Sequence, residues 1–275
     1  MNILQKSLRL NALFSGISGI IFMAFQVRIA QLFDISNTSV FLIVGCALLF
    51  FSLTIIYEMY KQRPLGVLWI IAQDILWVIG STAILLFNTF EFAKNGNYLV
   101  AIIALIVLLM AVNQANALSK IDTSNQKGIK HLSFDHIVKA PKQTVWTIIS
   151  DVTNYDKFAP NIDKVKIISG EGRGMVRSCS HGKDSWTETC SMWVEEKIYS
   201  FEVNTSSPDY PYPFKFLKGT WEVHEIDIHT TKIIIVFEFK YRHKLQNILI
   251  HPFLKGKFSK TANDLLDNWQ KMLEQ

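Results

Sequence analysis

Four long stretches almost free of charge, all within the first 120 residues, constrain this chain more than any other feature. They are residues 10–27, 35–57, 64–90, where Asp74 is the one interruption, and 95–119. A helix needs about 20 mainly apolar residues to cross the hydrocarbon core of a bilayer, and in lipid each backbone amide must be satisfied within its own segment. The spacing therefore predicts four transmembrane helices. The rest of the chain differs: residues 1–127 hold 8 Lys/Arg and 5 Asp/Glu, leaving 20 and 18 for residues 128–275. That split explains how a mean hydropathy of +0.21 arises in a chain whose second half reads as an ordinary globular domain.

The first span has the outline of a signal peptide, but no A-x-A-like exit follows it and Arg28 comes directly after the region where cleavage would fall. We read it as an uncleaved span. Lys6 and Arg9 precede the first span, Lys61 and Arg63 join the second to the third, and Lys120 and Lys127 follow the fourth. The positive-inside rule puts these segments, and both termini, in the cytoplasm of a multi-pass plasma (inner) membrane protein, although Arg28 blurs the contrast. Small residues, Gly16 with Gly19 and Gly80 with Ser81, are expected to let neighbouring helices approach. Ionisable groups at membrane depth are costly, which singles out Asp74 beside Gln73, and Asn113, Gln114 and Asn116 on the last span. Asp74 either is satisfied by that amide cluster and holds the bundle together, or handles a proton or substrate.

The net charge of +5 is dispersed and lacks a basic run or stacking platform, so nucleic acid is not an expected partner. Cys46, Cys179 and Cys190 make no disulfide framework or zinc motif and read as structural thiols. The seven histidines show no metal-ligand spacing, and no nucleophile elbow or phosphate-binding glycine loop occurs, so neither metal nor cofactor is expected.

Residues 121–130 read as a linker, with the boundary near residue 127 separating a four-span domain (1–120) from a C-terminal domain (131–275). Residues 131–138 have strand composition. Pro141 opens a short helix carrying Val145, Trp146, Ile148 and Ile149, and a second short helix is expected over 152–158. Six strand-like runs follow, over 162–170, 173–182, 185–195, 198–206, 214–227 and 231–241, and then one long helix over 246–274, with Pro252 as a second possible entry point. The pattern is α+β, a curved antiparallel sheet of about seven strands wrapping a long C-terminal helix.

The stretch APKQTVWTIISDVTNYDKFAPNIDKVKIISGEGRGMVRSC, with GKDSWTETC and FKFLKGTWEVHEID beyond it, resembles the polyketide cyclase/dehydrase and lipid-transport family of the START-related, helix-grip (SRPBCC) superfamily. The match rests on Val145-Trp146, Asp151 with Tyr155 and Pro160, Gly174, Trp186 and Glu188, and Gly219-Thr220-Trp221, and it covers residues 131–274. The resemblance implies a deep apolar cavity between sheet and last helix for lipids, quinones, polyketides or similar molecules, sometimes with catalysis. It says nothing about the N-terminal half.

Strand alternation places Trp186, Glu188, Cys190, Met192 and Val194 on one inward face, Tyr199, Phe201 and Val203 on another, and Ile233, Ile235, Phe237, Phe239 and Tyr241 on a third. Phe258, Leu265, Leu266 and Trp269 of the last helix should oppose them. The expected ligand wall is Trp186, Met192, Phe201, Phe237, Phe239, Phe258, Leu265 and Trp269, although aromatic stripes at these spacings are more often plain core. Arg177 and Glu188 fall midway along their strands and are the candidate polar pair, structural or acid–base. The loop over 207–214, rich in Tyr and Pro, is either a gate or a rigid connection.

The leading expectation is a membrane-anchored binding protein that takes a hydrophobic small molecule from the bilayer into its cytoplasmic domain. The sequence leaves protein partners unknown. One rival is a cyclase or dehydratase using Glu188 and Arg177. The other makes the four-helix half the active unit and the C-terminal domain its ligand sensor.

Overall fold

The computed structural model describes residues 1–124 and 128–274, so Lys127 and the expected boundary beside it lie outside the described residues. Two compact units emerge, residues 1–120 and 121–275.

The first unit contains α1 (Ile3–Ala24), α2 (Gln26–Phe33), α3 (Ser39–Lys61), α4 (Pro64–Phe87) and α5 (Lys94–Leu118). All but α2 are long and apolar enough to cross a membrane. Only 22–28% of each apolar window is buried inside the unit, so most of their surface is outward-facing Leu, Ile and Phe, as lipid contact requires. The start of α1 is set by Asn2, whose side chain accepts from the Gln5 amide while Gln5 answers with the Asn2 amide. Its predicted end near Val27 is instead a break at Phe25, after which α2 carries Arg28.

Close approach of α1 and α3 depends on glycine. A Cβ on Gly19 would stand 2.8 Å from the Gly45 carbonyl oxygen, and one on Gly45 would meet Met23 at 2.6 Å. Asn2 also donates to Gln62 at 2.6 Å, tying the start of α1 to the turn between α3 and α4. In that turn the buried Glu58 carboxylate accepts from Arg63 and covers Gly66. The other small pair behaves differently: Ser81 is buried, but Gly80 has nothing within 4 Å of its Cβ position. Helix α4 runs along α5, and α1 touches both α3 and α5, whereas α3 and α4 meet little beyond their connecting turn.

The second unit is built from β1 (Lys130–Val138), α6 (Lys142–Ile149), β2 (Lys164–Ser169), β3 (Val176–His181), β4 (Asp184–Val194), β5 (Ile198–Val203), β6 (Phe214–Asp227), β7 (Thr230–Tyr241), α7 (Lys244–Leu249) and α8 (His251–Leu273). The strands form one antiparallel sheet in the order β1-β7-β6-β5-β4-β3-β2, so the chain walks along the sheet from β2 to β7 and β1 closes onto the last strand. Tight turns allow this. Gly182 takes φ +58° between β3 and β4, a left-handed conformation that a side chain would strain. With the long C-terminal helix α8 against the sheet, this is the helix-grip fold.

Three local expectations are corrected. The second short helix is a single 3-10 turn at Tyr155–Lys157. The last helix is two helices meeting at Ile250, because Pro252 lacks an amide hydrogen and can only start a helix there. The inward face of β4 changes parity after Cys190: Cys190 pairs with Phe201 but Met192 pairs with Ser200, a bulge at Ser191. Met192 (40% exposed) and Val194 (47%) therefore point outward, and Trp193 takes the inward place against Tyr199 at 5.4 Å.

Two apolar clusters fill the space between sheet and helix. One gathers Trp146, Tyr155, Tyr199, Trp221 and Trp269 with Cys179 and Cys190, and Glu195 accepts from both the Trp146 and Trp193 indoles at 2.6 and 2.9 Å. The other holds Leu132, Phe214, Phe239 and Tyr241, with Phe258 stacked on Phe239 at 4.9 Å. Residues 121–124, expected to be a plain connection, are anchored. Asp122 accepts from His251 Nε2 at 3.1 Å and from Lys255 at 2.8 Å, and Lys130 donates to the Ile121 carbonyl.

Candidate ligand cavity

Between the two apolar clusters lies a cavity of about 240 Å³. Its walls come from β4 (Trp186), β5 (Phe201, Val203), β6 (Phe214, Leu217, Trp221), β7 (Phe237) and one face of α8 (Leu254, Phe258, Thr261, Leu265). The α8 residues recur at intervals of three and four, the spacing that lines one side of a helix. Exposed Asn161, His181 and Lys257 belong to the same lining and mark its mouth.

Of the expected wall residues, Trp186, Phe201, Phe237, Phe258 and Leu265 line this cavity. The structure does not bring the other three to it. Met192 is turned outward by the bulge, while Phe239 and Trp269, both fully buried, belong to the clusters at either end. Both side chains face inward; periodicity does not separate filled core from open space. Tyr210 and Tyr212 in the 207–214 loop also line the cavity, with Tyr212 edge-on to Trp186 at 5.6 Å. The loop is braced by Arg242, which donates to the carbonyls of Phe214 (3.2 Å) and Thr205 (3.3 Å) and lies over the Tyr210 ring.

Arg177 and Glu188 are directly paired in register on β3 and β4 and both face the cavity. Arg177 Nε and Nη2 donate to Glu188 Oε2 at 3.0 and 2.8 Å, and the Trp186 indole donates to Oε1 at 2.7 Å. The guanidinium, 1% exposed, lies 3.8 Å over the Phe201 ring and 4.9 Å from the Tyr155 ring. Burial disfavours the Arg177 cation, yet the Glu188 carboxylate outweighs it and holds the guanidinium above its usual range. Burial pushes the Cys179 thiol up to about 12 and raises the Tyr155 and Tyr210 phenols, so all three stay protonated at neutral pH.

Among the described residues, three polar atoms of the lining residues are buried without a partner, Arg177 Nη1, the Tyr210 hydroxyl and Trp221 Nε1. An unmet buried donor costs about 1–3 kcal/mol, so such atoms in a cavity wall mark places where an acceptor oxygen would be stabilised.

In the first unit, Asp74 is buried and its Oδ2 accepts from Asn11 Nδ2 at 2.7 Å and Gln114 Nε2 at 3.2 Å. Gln114 was expected among its partners; Asn11 was missed, and its place within an otherwise apolar stretch of the first span was the available signal. Asn113 and Asn116 are exposed, because the buried stripe of α5 runs through Val107, Met110, Ala111, Gln114 and Ala117.

Residues 131–274 match the family described as polyketide cyclase/dehydrase and lipid transport. Among solved structures, the chain is similar to the Zhui aromatase/cyclase from Streptomyces sp. R1128, at 17% identity over 53% of this chain and 94% of that one, with a TM-score of 0.45. It is also similar to a START superfamily protein from Mycobacterium smegmatis, at 13% identity over 52% and 97%, with a TM-score of 0.44. No curated protein matches the chain. By the match of its residues 131–274, this chain belongs to the polyketide cyclase/dehydrase and lipid-transport family.

Proposed function

We propose that the protein is a membrane-anchored receptor for a hydrophobic molecule bearing an acceptor oxygen, such as a quinone, a polyketide-like ring system or an acyl lipid, held in the cavity of its C-terminal domain. The observation that carries this reading is an aromatic cavity whose polar wall holds the unmet donors Arg177 Nη1 and Tyr210 OH. The apolar walls supply affinity and the two donors orient the ligand, the usual division of labour in small-molecule sites. Anchoring by α1, α3, α4 and α5 keeps the domain where a poorly soluble ligand is concentrated, raising encounter by effective concentration. The Lys and Arg distribution supports cytoplasmic termini in a plasma (inner) membrane.

Binding is favoured over catalysis by the state of Glu188. Both of its oxygens are already taken, by Arg177 and by Trp186, which suits a charged acceptor that fixes the guanidinium better than a base awaiting a substrate proton. The test is to purify the intact chain from its membrane in mild detergent and analyse small molecules by native and denaturing mass spectrometry, beside Thr261→Phe, which fills the cavity. The expected result is one oxygen-bearing hydrophobic molecule at near-stoichiometric yield, absent from Thr261→Phe. An empty protein after incubation with membrane extract, or equal recovery from both forms, overturns the proposal. Glu188→Gln tests the enzyme alternative, which gains support if turnover of the identified molecule is lost while binding remains.

A further inference from the structure

The weak contact between α3 and α4 leaves a cleft of about 530 Å³ within the four-helix unit, floored by α1 and α5. Its rim residues Ile43 (67%), Leu76 (68%) and Trp77 (40%) are exposed on the outer surface of spanning helices. The volume falls in the range of sites that take a small molecule. Most of the wall is apolar, but Asp74 lies in it, only 3% exposed.

Both hydrogen bonds to Asp74 end on Oδ2, and among the described residues no donor reaches Oδ1. The amide that binds Oδ2 from α5 leaves its own Gln114 Oε1 buried and without a partner. Among the described residues, no Lys, Arg or His contributes to the lining. The unmet atom of the lining is thus an acceptor, an oxygen of the Asp74 carboxylate, with no cation to balance it, in surroundings where an unpaired charge is costly.

We propose that this cleft is a second ligand site, which takes a long-chain amine, its protonated head on Asp74 Oδ1 and its tail between α3 and α4. The head would supply the missing donor and the missing positive charge together, and Phe51 and Trp77 line the same cleft. The chemistry is opposite to that of the C-terminal cavity, where the unmet atoms of the lining residues are an arginine nitrogen, a phenol and an indole nitrogen.

The intact chain in phosphatidylcholine nanodiscs is photolabelled with sphingosine carrying a diazirine in its chain, and in parallel with palmitic acid carrying the same group. Labelled peptides are identified by mass spectrometry. The amine probe is expected to label α1, α3 and α4 peptides that line the cleft, and unlabelled sphingosine should compete. Asp74→Asn keeps an amide for Asn11 and Gln114 to bond but removes the charge, and should weaken cleft labelling about tenfold or more, the worth of one charge-assisted hydrogen bond. Gly80→Phe fills open space in the cleft without altering a polar group, and should abolish labelling there even if Asp74→Asn fails to fold. Equal cleft labelling by the fatty acid, or amine labelling that persists in Gly80→Phe, would show a crevice occupied by ordinary acyl chains and overturn the proposal.

Discussion

Removing Glu188 should damage the C-terminal domain far more than removing Glu188 and Arg177 together. In Glu188→Leu the guanidinium of Arg177 keeps its charge at 1% exposure but loses the oxygen that accepts from Nε at 3.0 Å and Nη2 at 2.8 Å. Its contacts with the Phe201 and Tyr155 rings remain and offset part of the loss. Breaking a buried ion pair from one side costs about 3–5 kcal/mol, against a total stability of about 5–15 kcal/mol for a domain. At roughly 2–4 °C per kcal/mol for a unit of this size, the melting midpoint should fall by about 6–20 °C. Replacing both residues with apolar ones of similar volume, Arg177→Met with Glu188→Leu, removes the uncompensated charge and should return stability to within about 1 kcal/mol of the parent or above it. The assay is a double-mutant cycle on the intact chain in detergent, with unfolding followed by near-ultraviolet circular dichroism of the aromatic clusters. A coupling energy below about 1 kcal/mol would refute the view that the two residues form one desolvated electrostatic unit.

Acid should release the anchored segment around Asp122. Burial holds the His251 pKa below its usual 6.5, where a neutral ring protonated on Nε2 donates to Asp122 and accepts from Tyr241 at Nδ1. The unfolded chain then binds the proton more tightly, so the contribution is full above pH 6.5 and is lost as pH falls through the folded value, with Lys130 and Lys255 nearby opposing the added charge. Burial works against the Asp122 carboxylate as well, but its bonds from His251 and Lys255 hold its pKa below 3.8, adding a second loss at lower pH. The urea midpoint should decline from pH 7 to pH 5 in the parent and stay level over that range in His251→Asn; equal slopes would count against this pairing. Trp269→Ala should destabilise by about 3–5 kcal/mol, while Met192→Ala should change stability by less than about 0.5 kcal/mol, and the reverse ranking in denaturant titrations would sink the assignment of the β4 bulge. Gly19→Leu should force α1 off α3 and cost about 1–3 kcal/mol or more in thermal unfolding of the membrane unit, because the Gly45 backbone cannot yield as a side chain would; an unchanged midpoint would contradict that packing.

Apolar run length and strand alternation are strong signals, and the four long helices, the sheet and the facing stripes of α8 were legible from them. The departures occur where one residue breaks a period. Ser191 sits in a bulge, and one extra residue reverses every later side chain of β4, which moved Met192 out of the expected ligand wall. Pro252 signalled a helix start, but the turn of helix before it, Lys244–Leu249, has no buried residue and little pattern to betray it. The Arg177 and Glu188 pair could be placed from alternation because both lie before the bulge. Phe239 and Trp269 show the other limit: periodicity tells inside from outside, whereas open space depends on how side chains from five strands and a helix meet. Asn11, a polar residue in an apolar run, and Asp122, one of several polar residues in a linker-like stretch, carry no local signal of their partners, which lie far off in sequence at positions 74, 251 and 255.

The C-terminal cavity is proposed to hold an oxygen-bearing hydrophobic molecule against Arg177 and Tyr210. The most direct measurement is an experimental density map of the intact chain purified from its own membrane. The expected result is continuous non-protein density between Phe258 and Arg177, with an oxygen within hydrogen-bonding distance of Arg177 Nη1 or the Tyr210 hydroxyl. A cavity filled only by ordered water, or closed by Tyr212 and Phe258 meeting across it, would rule out such a ligand.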